Sequence, residues 1–287
     1  MIEHHTVAAR GARFHVATAG AGPPLLLLHG WPEFWLTWEP VMQRLAGRYR
    51  LIAPDLRGFG ESDKPERDWG ADDHAADMLA LLDALDVPRT GIIGHDVGGA
   101  VIQSIARAAP ARCRGLFLFD FVHPGIGAAL GTPDRLREIW YQSFNQLPVA
   151  VELVGSSEAA CRAYFSHIIR HWCHRKHAFD DVMDAFVANF MRPGNLAGGF
   201  GWYRAAAPGR LAVMRGEAPA LPPIAIPTCV RWGEHDPVLP FHFSAHLDRT
   251  FATLDFARFD DVGHFPHMED PDRAADEIGR FFDALEP

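Results

Sequence analysis

The sequence predicts an α/β architecture, a mostly parallel, doubly wound sheet interrupted by a helical insertion. Two observations carry this reading. Short apolar runs alternate with helix-period segments up to Phe121, and the alternation resumes at Thr228. Between Pro124 and about Leu211 no strand pattern appears, and the chain reads as mainly helical, aromatic and rich in histidine.

The elements follow in order. Ala12 to Thr18 alternates like a half-buried strand, and Gly20-Ala21-Gly22-Pro23-Pro24 is a turn. Leu25 to His29 is a continuous apolar run, the mark of a strand covered on both faces. Leu36 to Ala46 reads as a helix and Tyr49 to Pro54 as the next strand. Asp72 to Leu85 carries an apolar stripe at Met78, Leu79, Leu82 and Leu85, as a helix does. Thr90 to Ile93 is a strand, Ala100 to Ala109 a helix and Gly115 to Phe119 a buried strand. After the insertion and a connector with Pro219, Pro222, Pro223 and Pro227, strands are expected at Thr228 to Trp232 and Ala252 to Phe259. A helix from Asp270 to Leu285 closes the chain. The simplest division is a core of 1–123 and 213–287 with a helical cap of 124–212 inserted into it.

Composition narrows the function classes. Of 287 residues, 48% are hydrophobic and 22% charged, an ordinary soluble profile. The formal charge of −9 argues against a nucleic-acid partner, which calls for a basic face. No apolar run reaches the ~20 residues that span a bilayer, so no membrane partner is expected. The polar start, Met1-Ile2-Glu3-His4-His5, lacks the order of a secretion signal, which makes the cytoplasm the default location. Cys113, Cys161, Cys173 and Cys229 are scattered without a C-x-x-C pair and read as free, buried or partly buried thiols.

The chemistry concentrates at Gly94-His95-Asp96-Val97-Gly98-Gly99, between a strand and a helix. A sharp turn there holds its central side chain up at a helix N-terminus, where related turns carry a serine. An aspartate at that position is already ionised and attacks an alkyl carbon without a base. This points to opening of a C–O or C–halogen bond. Asp236, in Trp232-Gly233-Glu234-His235-Asp236-Pro237, and His264, in Val262-Gly263-His264-Phe265, follow the last two strands. The order nucleophile, acid, histidine is that of α/β-hydrolases. His264 is then the general base and Asp236 its orienting acid. In this fold the loop His29-Gly30-Trp31-Pro32 and the residue after the nucleophile supply the oxyanion hole, here the N–H groups of Trp31 and Val97. X–Pro chemistry permits a cis Trp31–Pro32 bond.

These motifs make the chain resemble an α/β-hydrolase of the epoxide hydrolase branch, over nearly its whole length. His29-Gly30-Trp31-Pro32-Glu33-Phe34-Trp35 is similar to that family's oxyanion loop, and the Gly94 to Gly99 segment to its elbow. Asp55-Leu56-Arg57-Gly58-Phe59-Gly60-Glu61-Ser62-Asp63 matches a superfamily loop, and its Arg57, Ser62 and Asp63 read as loop architecture. The resemblance implies two cap tyrosines that bind the epoxide oxygen. Gly198-Gly199-Phe200-Gly201-Trp202-Tyr203-Arg204 is similar to the segment carrying one, which assigns Tyr203. Trp140-Tyr141-Gln142-Ser143-Phe144 is similar to the other, which points to Tyr141, with Tyr164 as the alternative. Pro32, Phe34, Trp35, Trp140, Trp202 and Phe265 are expected to line an apolar substrate pocket, though each could equally be core. The implied activity is hydrolysis of an apolar epoxide to a vicinal diol through an Asp96 ester, with no cofactor and no metal.

Two related families differ at informative positions. Many epoxide hydrolases and haloalkane dehalogenases carry tryptophan after the nucleophile, and fluoroacetate dehalogenases carry arginine there and a cap histidine near the position of Tyr141; this chain has Val97. Haloalkane or haloacid dehalogenation is the alternative reaction, and ligand binding without catalysis the alternative class. Some relatives take the acid from the preceding strand end, where this chain has Asp120, the second choice after Asp236. His171, His174 and His177 invite a metal reading, but their spacing leaves one helix face progressively, so a polar face is preferred. His95 adjoins the nucleophile, but strand neighbours point to opposite faces, so it receives no catalytic role. Monomer and homodimer are both compatible with the sequence.

Overall fold

The computed structural model describes residues 1–285. Eight strands form one sheet: β1 (Ile2–Ala9), β2 (Ala12–Ala19), β3 (Pro24–Leu28), β4 (Arg50–Pro54), β5 (Thr90–His95), β6 (Cys113–Phe119), β7 (Thr228–Gly233) and β8 (Leu254–Phe259). Their spatial order is β1-β2-β4-β3-β5-β6-β7-β8. The pairs β1–β2 and β2–β4 are antiparallel. Every later pair is parallel.

The leucines of β3 show why this sheet must be covered on both faces. Leu25, Leu26, Leu27 and Leu28 are all fully buried. Their period of two sends Leu26 and Leu28 into one apolar layer and Leu25 and Leu27 into the other. The first layer is closed by α2 (Ala71–Ala84) and α3 (Val97–Ala108), through Met78, Leu81, Leu82, Val101, Ile102 and Ile105. The second is closed by α1 (Glu39–Leu45) and by the helix Pro271–Asp283, through Val41, Met42, Leu45, Ile278 and Phe282.

Between β6 and β7 come a 3₁₀ segment (Pro124–Gly131) and six helices. These are α4 (Pro133–Leu136), α5 (Trp140–Phe144), α6 (Pro148–Gly155), α7 (Glu158–Trp172), α8 (Met183–Phe190) and α9 (Asn195–Met214). Two further helices, α10 (Pro266–Glu269) and α11 (Pro271–Asp283), follow β8. The inserted helices do not form a separate core. Phe165, Trp172 and Phe200 share one buried cluster with Trp31, Phe34, Val97 and Phe121 at the ends of the sheet strands.

Three local features differ from the sequence expectation. The first eight-residue strand, β1, carries no apolar alternation because it is an edge strand with most residues exposed. It is held by the tight turn at Arg10 and Gly11, both at positive φ, which joins Ala9 to Ala12. The helix expected from Leu36 to Ala46 divides into a 3₁₀ turn (Trp35–Trp38) and α1, with Pro40 in the first turn of α1. The expected helix from Ala100 begins at Val97 instead, directly after Asp96. All four cysteines are buried and free.

Candidate active site

Asp96 stands where β5 turns into α3. Its backbone is at φ +47° and ψ −108°, a conformation rare for a residue with a side chain. Close approach of the turn to its neighbours demands the glycines. A Cβ on Gly98 would lie 2.2 Å from the Leu28 carbonyl oxygen, and one on Gly94 2.6 Å from Ile102 Cδ1. The strand end, the turn and the helix start are therefore pressed together, and Asp96 is left half-exposed between them. Its Oδ2 accepts a hydrogen bond from the Trp31 backbone N–H at 2.9 Å. Trp31 precedes Pro32 through a cis peptide bond. Val97 is the first residue of α3, so its N–H has no acceptor earlier in the helix.

His264 and Asp236 meet from two different strand ends. His264 Nδ1 and Asp236 Oδ2 are 2.7 Å apart, with both side chains buried. Asp236 Oδ1 accepts from the Val238 and Leu239 N–H groups at 2.7 and 2.9 Å, which fixes the carboxylate. With Nδ1 directed at Asp236, Nε2 is the nitrogen left over, and it is buried without a protein partner. Burial pulls the His264 pKa down, but the Asp236 charge and hydrogen bond outweigh it, and the net shift is upward from 6.5. Asp120 is not on the imidazole. Its Oδ1 accepts from Gly233 N–H at 2.9 Å, and the carboxyl lies beside that of Asp236. Burial, followed by the Asp236 charge, holds the Asp120 carboxyl well above its ordinary range. The loop carrying His264 is gripped by Glu269, whose carboxylate accepts from the N–H groups of Gly263, Phe265, His174 and Arg175.

Behind these residues lies a buried network that the sequence did not reveal. His95 Nδ1 is 2.7 Å from Glu33 Oε2, and His95 Nε2 is 2.7 Å from the His264 carbonyl oxygen. Each ring nitrogen of His95 thus faces an oxygen acceptor. Glu33 also accepts from Gly30 N–H at 2.6 Å and Thr37 Oγ1 at 2.6 Å, and its Oε1 is 2.9 Å from His267 Nε2. Although burial opposes its charge, the neighbouring His95 and His267 hold the Glu33 carboxyl well below its ordinary range. His95 thus braces the His264 backbone from behind. The clue in the sequence was a charged residue, Glu33, inside an otherwise apolar loop, but nothing in the chain names its partners.

Over Asp96 lies an aromatic enclosure centred on Trp31. Tyr141 stacks on Trp31 with centroids 5.4 Å apart and planes within 2°. Tyr203 meets Trp31 edge-on at 5.1 Å and Tyr141 edge-on at 5.6 Å. Burial first, and then the Asp96 charge among others, raises both phenol pKa values, so both hydroxyls keep their protons. Gln142 Nε2 donates to the Tyr141 hydroxyl at 3.3 Å, and Arg210 Nη1 donates to Gln142 Oε1 at 2.7 Å. The Arg210 guanidinium also sits 5.7 Å from the Tyr203 ring centre. Tyr164 is engaged elsewhere, its hydroxyl donating to Asn145 Oδ1.

The expected lining residues divide. Phe265 packs on His264 and on Trp172, and Phe34 on Phe186. Pro32 is buried beside Trp31. Trp140 packs on Phe144 and Tyr164 at the outer side of Tyr141 and is 40% exposed. Two tryptophans lie apart from the enclosure. Trp35 packs on His4 and His15, because its N–H is drawn to Asp55 Oδ1 at 2.8 Å. Trp202 faces His74, since it neighbours Tyr203 on α9 and so points off the buried stripe. In their place the structure supplies Trp172, which lies 5.1 Å from His264, 4.8 Å from Tyr141 and 5.7 Å from Trp31. Its only sequence signal is the apolar spacing Phe165, Ile168, Ile169, Trp172 along α7.

Arg57, Ser62 and Asp63 serve the loop. Arg57 forms a two-point ion pair with Asp77 at 2.7 and 2.8 Å, Ser62 Oγ donates to the Asp55 carbonyl at 2.7 Å, and Asp63 binds Arg13. The histidine run disperses: His171 pairs with Glu138, His177 with Asp180, and His174 stacks on His235.

The family model described as alpha/beta hydrolase fold matches residues 23–271. The soluble epoxide hydrolase of Corynebacterium sp. (strain C12) is 29% identical over 293 residues, spanning 99% of this chain and 98% of that protein. Epoxide hydrolase 4 of Homo sapiens is 32% identical over 242 residues, 79% of this chain and 63% of that one. The solved structure of epoxide hydrolase CorEH without ligand superposes with a TM-score of 0.86 at 27% identity, covering 99% of both chains. A glycine-pressed elbow, an eight-stranded sheet in this order and a match across most of the length lead to one conclusion: the chain belongs to the α/β-hydrolase fold family.

Proposed function

We propose that the chain is an epoxide hydrolase, which adds water to an apolar epoxide and releases a vicinal diol. The observation that carries this reading is the pair of protonated phenols, Tyr141 and Tyr203, over the Trp31–Asp96 contact. An epoxide oxygen leaves as an alkoxide and needs a proton donor; a leaving halide needs none. The names of the relatives support the same activity.

The reaction proceeds in two steps. Asp96 Oδ2 is held by the Trp31 N–H, so Oδ1 is the attacking oxygen. It forms a bond to an epoxide carbon from behind while the C–O bond breaks, and a tyrosine gives its proton to the departing oxygen. The product is an Asp96 ester with Oδ2 as its carbonyl oxygen. Water then loses a proton to His264 Nε2 and attacks the ester carbonyl carbon. Asp236 stabilises the imidazolium, and the Trp31 and Val97 N–H groups bind the oxyanion that develops on Oδ2. Collapse breaks the ester C–O bond, the departing diol oxygen takes the imidazolium proton, and the Asp96 carboxyl left behind gives up its own proton to regenerate the carboxylate. The proton returns to the tyrosine. In this scheme residues 124–212 act as a cap that brings the phenols to the core.

The test is intact mass of the His264→Gln variant after exposure to epoxides and, separately, to haloalkanes and haloacids. A gain equal to a whole epoxide, mapped to Asp96, is the expected result. A gain equal to substrate less halide would make the chain a dehalogenase, and no adduct together with an inactive wild type would favour ligand binding without catalysis.

A further inference from the structure

His174, His235 and Asp261 come together on the surface from three separate segments. His174 follows α7 in the insertion, His235 follows β7, and Asp261 follows β8. One ring nitrogen of each histidine and one carboxylate oxygen of Asp261 all lie within 4.8 Å of one another. The two imidazoles stack with centroids 4.1 Å apart and planes within 23°. Glu234 adds a second carboxylate, with Oε2 3.5 Å from His235 Nε2 and 3.4 Å from the Asp261 N–H.

The backbone holds these side chains in place. His174 N–H donates to Glu269 at 2.8 Å, and His235 N–H to the Val262 carbonyl at 2.9 Å. The Asp261 carbonyl accepts from Arg175 Nε at 3.3 Å. Arg258 occupies the other Glu234 oxygen, Oε1, at 3.1 Å, which leaves Oε2 turned toward the histidines. Two nitrogen donors and one or two carboxylates suit a borderline divalent ion such as zinc, not magnesium or calcium, which prefer all-oxygen sites. Ligand atoms on a tetrahedral zinc ion lie about 3.3 Å apart, given bonds of about 2.0–2.1 Å. Exposed rotamers need to close the present spacing by roughly 1.5 Å at most.

We propose that His174, His235 and Asp261, assisted by Glu234, form a zinc-class divalent metal site. The site joins the insertion to both loops that carry the His264–Asp236 pair. His235 is the immediate neighbour of Asp236, and the Trp172 carbonyl, two residues before His174, accepts from the His264 N–H at 3.0 Å. Binding of an ion here ties three chain segments together, so it stabilises the folded chain by mass action. It involves none of the groups in the epoxide chemistry, so the site and that activity stand or fall separately.

The experiment is calorimetric titration of metal-stripped full-length protein with Zn²⁺, beside His174→Ala, His235→Ala and, as control, His177→Ala. His177 is exposed but paired with Asp180. The expected result is one tight site whose Kd weakens about tenfold or more in the first two variants and holds in the third. Tm should rise with Zn²⁺ in wild type and in His177→Ala only. Protection of wild-type His174 and His235, but not His177, from diethyl pyrocarbonate gives a readout that needs no variant. Wild-type protein without a tight site, or with one indifferent to His174→Ala and His235→Ala, overturns the proposal, as does equal modification of all three histidines with and without Zn²⁺.

Discussion

At the scale of the residue, the site is a set of pKa directions. His264 must be neutral to take a proton from water, yet Asp236 raises its pKa above 6.5. The fraction of neutral base therefore falls as pH drops through that raised value. The acid limb of ester hydrolysis should lie above about pH 6.5. Asp236→Asn should move that limb to lower pH and slow the step by orders of magnitude, because the charge that raised the pKa and fixed the tautomer is gone. Single-turnover hydrolysis measured across pH checks this; a limb that stays put would show that Asp236 does not set it. The tyrosines carry the opposite demand, since they must keep their protons. With two donors present, Tyr203→Phe or Tyr141→Phe should each slow Asp96 alkylation about tenfold or more, and the double variant far more than either. Gln142 donates to the Tyr141 oxygen and leaves the phenolic hydrogen free for substrate. Gln142→Leu should therefore slow alkylation while leaving ester hydrolysis intact, which pre-steady-state kinetics separates.

At the scale of the element, the strand–turn–helix around Asp96 concentrates the constraints. Gly98→Ala places a methyl 2.2 Å from the Leu28 carbonyl oxygen, and neither β3 nor α3 can yield easily. A loss of about 1–3 kcal/mol in urea unfolding is expected, with a larger loss of activity as the elbow shifts. An unchanged unfolding midpoint would mean that the two elements are not so tightly pressed. This same element explains what was legible. The glycines, the buried leucines of β3 and the strand-end positions of Asp96 and His264 are local signals, and each could be read in the chain. The edge strand β1 could not, because its residues face water and need no apolar period. Trp35 and Trp202 illustrate a second limit. Both sit inside diagnostic motifs, but an aromatic residue reveals that it will be packed and not on which side.

At the scale of the whole molecule, the partners that matter are far apart in sequence. Glu33 joins His95 and His267, and Trp172 reaches His264 across the insertion. Such pairings depend on the assembled fold, so no spacing announces them. They also give the fold a pH dependence. Burial lowers the pKa of His74 to about 3 and those of His123 and His267 to about 4. All three are neutral when folded and take up a proton near 6.5 when unfolded. Between those values the unfolded chain binds more protons, so stability is present above about pH 6.5 and is lost as pH falls. Each such histidine contributes a slope of about 1.4 kcal/mol per pH unit. Asp120 and Glu269 act in the opposite sense, because their raised pKa values leave the folded state holding protons that the unfolded chain releases. Burial lowers the His29 pKa as well, so His29 adds to the loss of stability on acidification that the three other histidines bring, while the two carboxyls oppose it. His74 offers the cleanest test. Its Nδ1 has no partner and its ring lies among Trp69 and Trp202, so phenylalanine fits its surroundings. His74→Phe should shrink the difference in unfolding free energy between pH 6 and pH 5 by about 1.4 kcal/mol. An unaltered slope in urea titrations at the two pH values would mean that His74 does not titrate between folded and unfolded chain.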